Sequence, residues 1–188
     1  MTASQGTKVF FHEDDDGAVE ILPVGAWVHC EQQLGRIAEH DVKHRVPGGA
    51  GWTSIYICED SPVSMVELGL TLAELDAALS PHLPFTDEVE TGYSTYREPV
   101  QRTRAWVVSG YMALYASWDE SGRVRSIFCS SSFVEPAKQP SFLAAMKALG
   151  ALRPLLLVDW NADALLRLDD TEMLQRWLTG EEESADEA

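Results

Sequence analysis

The chain has 188 residues, 45% of them hydrophobic, and carries a formal net charge of −16. That length fits one domain that buries about two thirds of its unfolded surface, so neither disulfides nor a metal is needed to hold it. Thirty acids against 14 Lys and Arg argue against direct nucleic-acid binding, because phosphate is contacted by cations.

The charge is unevenly spread. Residues 1–96 carry 16 acids and 4 bases, residues 97–153 carry 4 acids and 8 bases, and residues 154–188 carry 10 acids and 2 bases. An acidic shell around a basic middle bears on partners rather than on fold. Three cysteines, Cys30, Cys58 and Cys129, are odd in number and widely spaced, which argues against a disulfide framework. Their apolar neighbours predict buried thiols. The polar start, Met1 to Lys8, is no secretory signal, and the longest aliphatic run, Leu155 to Val158, is far below the ~20 residues of a membrane helix. The expectation is a cytoplasmic protein with no membrane partner.

In chain order, Lys8 to Glu13 and Ala18 to Val24 read as strands joined through Asp14-Asp15-Asp16-Gly17, a hairpin signal. Gly25 to His40 is helical, with Trp27, Cys30, Leu34 and Ile37 on one stripe. The glycine-rich residues 47–51 form a loop, and Trp52 to Cys58 reads as a strand. Thr71 and Glu74 have capping-box spacing and open a helix that stops at Ser80-Pro81. Residues 81–101 are a long polar loop holding at most one edge strand, of a length that is often functional.

Arg104 to Ser109, Tyr111 to Trp118 and Arg123 to Ser130 form an antiparallel meander. Ser141 caps a helix through Leu152 that buries Phe142, Ala145, Met146 and Leu149. Leu155 to Trp160 is a buried strand that pairs with Ala164 to Leu168. Asp170 or Thr171 caps a last helix, with Met173, Leu174, Trp177 and Leu178 inward and Gly180 ending it. Residues 181–188 are an acidic, disordered tail to a single domain spanning 1–180. Strands and helices mix without regular alternation. The fold class is therefore α+β, a mostly antiparallel sheet with helices packed on one face.

No motif names a reaction. The glycines at 48, 49 and 51 lack the Lys-Ser/Thr of a phosphate loop, and His12 and Pro23 fall where calcium would need carboxylates. His40 and His44 have metal-ligand spacing but no third ligand, so neither metal nor cofactor is expected. Asp159, at the mouth of a buried strand and followed by Asp163, has the placement of a catalytic acid but more commonly satisfies a turn. Arg97, Arg102, Arg104, Arg123 and Arg125, with Tyr111, Tyr115 and Trp118, make the meander suggestive of an anion site.

In size, acidity and lack of a catalytic motif the chain resembles bacterial toxin-neutralising (immunity) proteins, a resemblance that covers no motif. It implies a binding protein that occludes a basic active site on a protein partner. The candidate partner-binding residues are Asp14, Asp15 and Asp16 at the hairpin tip and Asp87, Glu88, Glu90, Tyr93 and Tyr96 in the long loop. Carboxylates beside tyrosines suit a partly desolvated interface. The alternative is a small enzyme or sensor that handles an anionic small molecule through the Arg-rich meander and Asp159.

Overall fold

The computed structural model describes residues 8–15, 17–48, 51–110, 112–130 and 134–180. Asp16, Tyr111, Ser131, Ser132 and the 181–188 tail lie outside the described residues.

The fold is α+β. Its strands are β1 (Val9–His12), β2 (Val19–Pro23), β3 (Phe85–Thr86), β4 (Val89–Gly92), β5 (Glu98–Pro99), β6 (Thr103–Val107), β7 (Ala113–Trp118), β8 (Val124–Cys129), β9 (Leu155–Asp159) and β10 (Ala164–Arg167). Its helices are α1 (Trp27–His44), α2 (Leu72–Leu79), α3 (Gln139–Leu152) and α4 (Thr171–Thr179). Seven strands form an antiparallel sheet in the order β10-β9-β2-β8-β7-β6-β3, and β1, β4 and β5 form a small mixed sheet.

Alternation along the strands fixes the layers. Ile21, Trp106, Leu114, Ile127 and Leu157 face one way, against Leu75 and Leu79 of α2, Phe142, Met146 and Leu149 of α3, and Leu174 and Leu178 of α4. Their neighbours face the other way. Leu156 and Val158 pack on Cys30 and Leu34 of α1. Ala105, Tyr115 and Phe128 pack on Phe11 and Val89 of the small sheet. Three helices thus share one face, and α1 covers the other because all five residues of β9 are buried and need cover on both sides.

The meander, the β9–β10 hairpin and the capping box of Thr71 with Glu74 stand where the sequence puts them. So does α4, capped by Asp170 and ended by Gly180, although Met173 is exposed. The helix expected from Ser141 starts at Gln139, with proline in its first turn.

The first hairpin does not form. Its two strands exist, but β2 sits between β8 and β9 while β1 crosses to the small sheet. Phe11 decides this. Its ring meets Tyr115 and Phe128 edge-on at 5.0 and 5.2 Å, a burial that β1 cannot gain beside β2. Glu13–Asp15 is then one 3₁₀ turn rather than a hairpin tip. The long loop holds β3, β4 and β5, with β4 central in the small sheet. The strand expected over Trp52 to Cys58 is absent. The segment runs beside α1, with one isolated bridge between Trp52 and Arg45, and among the described residues it pairs with no sheet.

Candidate functional site: the acidic and aromatic end of the small sheet

β1 and β4 pair in parallel, with His12 opposite Gly92, so both strands end on the same side of the molecule. Beyond His12, the acids of the 3₁₀ turn fold back on the strand: the His12 amide donates to Asp15 Oδ2 at 3.1 Å, and the Asp14 amide to His12 Nδ1 at 3.2 Å. The Asp14 carboxylate itself lies 3.4 Å from His12 Nδ1. Among the described residues, neither Asp14 nor Asp15 contacts a Lys or Arg.

Beyond Gly92 the chain reverses through Tyr93 to Tyr96, closed by the Tyr96 amide donating to the Tyr93 carbonyl at 3.0 Å. Gly92 makes this turn possible. Its φ of 148° is glycine territory, and a Cβ there would stand 2.1 Å from the Tyr96 carbonyl oxygen. The turn brings the Tyr93 ring edge-on to His12, centroids 4.9 Å apart. Tyr93 and Tyr96 remain 58% and 63% exposed. The Tyr96 hydroxyl donates to Glu98 at 2.8 Å, which raises its pKa. Asp14, Asp15, Tyr93 and Tyr96, far apart in sequence, therefore gather around His12 at the shared end of β1 and β4, and among the described residues no Lys or Arg is ion-paired with either carboxylate.

The other candidates lie at or toward the opposite end of β4 and separate from this group. Asp87 is held by Arg104, whose guanidinium also bonds Asp76 and lies 4.4 Å from the Phe85 ring. Glu90 bonds Lys8 at 2.5 Å, and that contact raises the Lys8 pKa. Glu88 is exposed, and its carbonyl accepts the Val9 amide at 3.0 Å. Two of these three acids are thus already neutralised by the fold.

The parts of the small-molecule alternative do not converge. Asp159 is fully buried. Its Oδ1 accepts the amides of Asn161 and Ala162 at 3.1 and 3.0 Å, and its Oδ2 accepts Trp177 Nε1 at 3.0 Å. Four strand spacings, roughly 19 Å, separate β9 from the Arg104 strand. The arginines themselves are dispersed: Arg102 pairs with Glu120 at 3.1 Å, and Arg97 lies 4.0 Å over the Phe10 ring. Tyr115 is buried, which pushes its pKa up to about 12 and keeps the phenol protonated.

His40 and His44 do share a helix face, rings stacked 4.4 Å apart. Burial, then His40 and Lys43, lower the His44 pKa. Among the described residues no three His, Cys, Asp or Glu side chains are grouped to hold a metal, and no helix is long and apolar enough to cross a membrane. Cys30 and Cys129 are buried but Cys58 is exposed, contrary to expectation, because its segment is not a core strand.

The sequence reading missed Gly92 and His12 as the residues that organise the surface. A glycine just before a tyrosine-bearing turn was the available signal. The parallel pairing of two strands 80 residues apart left none.

No family model, curated protein or solved structure matches the chain.

Proposed function

We propose that this chain is a protein-binding protein that acts by covering a basic surface of its partner, as an inhibitor or toxin-neutralising immunity protein does. One observation carries the reading: the parallel β1–β4 register gathers Asp14 and Asp15 at the same end as Tyr93 and Tyr96, and among the described residues no Lys or Arg is ion-paired with either carboxylate. Clustered like charge costs stability unless it is solvated or meets a cationic partner. Exposed tyrosines supply large contact area at low entropic cost, so the mixture suits an interface more than a solvated loop. The −16 charge accelerates encounter with a basic protein and disfavours nucleic acid. The setting proposed is the cytoplasm, where the three free thiols remain reduced. Catalysis through Asp159 is not favoured, since that carboxylate is spent on its own turn and on Trp177.

The test is recovery of partners from native lysate on the wild-type chain and on an Asp14→Lys, Tyr93→Ser, Tyr96→Ser variant. A stoichiometric, basic partner held by the first and lost by the second is the expected result. Equal recovery on both, or no stoichiometric partner, contradicts the reading.

A further inference from the structure

The segment that follows α1 is strand-like but unpaired. From Ile55 to Ser61 the chain runs without turn or bend. Among the described residues, the backbone groups of Ser54 to Cys58 meet no hydrogen-bond partner. Ile55 and Ile57, two apart and so on one side of an extended chain, are 88% and 82% exposed. Tyr56 between them turns the other way, its hydroxyl donating to Gln33 Oε1 at 2.9 Å.

Both ends are pinned to α1. The Thr53 amide donates to the His44 carbonyl at 2.8 Å. The Glu59 amide donates to Gln33 Oε1 at 3.2 Å, its carbonyl lies 3.0 Å from His29 Nε2, and its carboxylate accepts Arg36 at 2.8 Å. Gln33 is itself buried, so the anchor is part of the packed helix. A solvated loop has no need of two β-branched residues at alternate positions, whereas a strand does. Proteins ordinarily shield an apolar edge with free amides, because it recruits another strand.

We propose that residues 54–58 are a docking edge that takes up one extended segment of a partner protein by strand addition. The segment's backbone would pair with Ser54 to Cys58, its alternating apolar side chains would cover Ile55 and Ile57, and a basic flank would meet Asp60. Charge selects this occupant. Residues 51–61 hold no Lys or Arg and two acids, Glu59, which Arg36 already pairs, and Asp60, while a second copy of the chain would bring its own −16 against the first. The proposal is independent of the acidic end of the small sheet.

The test uses the full chain and three synthetic ten-residue peptides of alternating valine and threonine: one with lysine ends, one with glutamate ends, and the lysine form N-methylated at every second amide. Anisotropy titration is paired with amide hydrogen exchange. The lysine peptide should saturate the protein and slow exchange across 54–58 by about tenfold or more. The glutamate form should bind about tenfold more weakly, and the methylated form not at all. Ile57→Pro, which removes a ladder donor, and Ile57→Asp, at a site too exposed to endanger folding, should each weaken binding about tenfold with melting unchanged. The proposal is overturned by no saturable binding of the lysine peptide, by equal binding of the methylated form, by full binding to both variants, or by a peptide-free dimer that itself protects 54–58.

Discussion

Arg104 grips Asp87 through two parallel hydrogen bonds, Nε to Oδ1 at 2.7 Å and Nη2 to Oδ2 at 2.9 Å. Its Nη1 is spent on Asp76. A carboxylate that reads from sequence as part of an interface is therefore one wall of an intramolecular clamp between the start of the small sheet, α2 and β6. Arg104→Ala strands the Asp76 carboxylate, one oxygen of which is already buried without a partner. The expected loss is about 2–3 kcal/mol in denaturant unfolding. Asp87→Lys should lower stability as well, so reversing that charge reports on folding rather than on partner association. Unchanged midpoints in both variants would show the clamp to be idle.

Gly92→Ala should undo the acidic surface without unfolding the core. The new Cβ collides with the Tyr96 carbonyl, and the φ of 148° is closed to alanine. The turn must reopen, at a cost of about 2 kcal/mol. Loss of the ring contact between His12 and Tyr93 in proton NMR, with the α2–α4 core signals in place, is the expected signature.

Asp159→Asn should destabilise by about 1–3 kcal/mol although it is nearly isosteric. An amide can turn its oxygen to the Asn161 and Ala162 amides or to Trp177 Nε1, but not to both, so one buried donor faces another. Thermal unfolding that matches the wild type would mean that Asp159 is not the structural residue described above.

Thiol labelling should proceed in two classes. Cys58 reacts in the native state; Cys30 and Cys129 wait for unfolding, since burial pushes their pKa values up to about 11 and about 12. Cys58 is also raised, by desolvation and then by Glu20, so its thiolate fraction at neutral pH lies below that of a free thiol. Its labelling rate should climb as pH rises toward and past 9. Two fast thiols at pH 7 would contradict the burial of Cys30 or Cys129.

The elements built from local signals were legible in the sequence. Thr71 with Glu74, the Phe142–Leu149 stripe, the meander and the turn before Ala164 each carry their instruction within a few residues. Pairing between distant segments was not legible. The Asp-Gly before Ala18 is a sound hairpin signal that lost to the burial of Phe11 against Tyr115 and Phe128, residues more than 100 positions away. Trp52 to Cys58 has strand composition, and no sheet among the described residues takes it up. The candidate site was half legible: Asp14, Asp15, Tyr93 and Tyr96 come together, while Asp87 and Glu90 meet cations at distances in sequence that no local pattern encodes.

If Asp14 and Asp15 steer a basic partner onto the small sheet, the association rate must carry their charge. The partner recovered from lysate would be mixed with wild-type chain and with an Asp14→Lys, Asp15→Asn variant, the asparagine keeping an acceptor for the His12 amide, over a range of ionic strength. The wild-type association rate constant should fall steeply with salt, and the variant should be about tenfold slower at low salt with a flatter dependence. Identical rate constants and identical salt slopes, with both proteins folded, would contradict it.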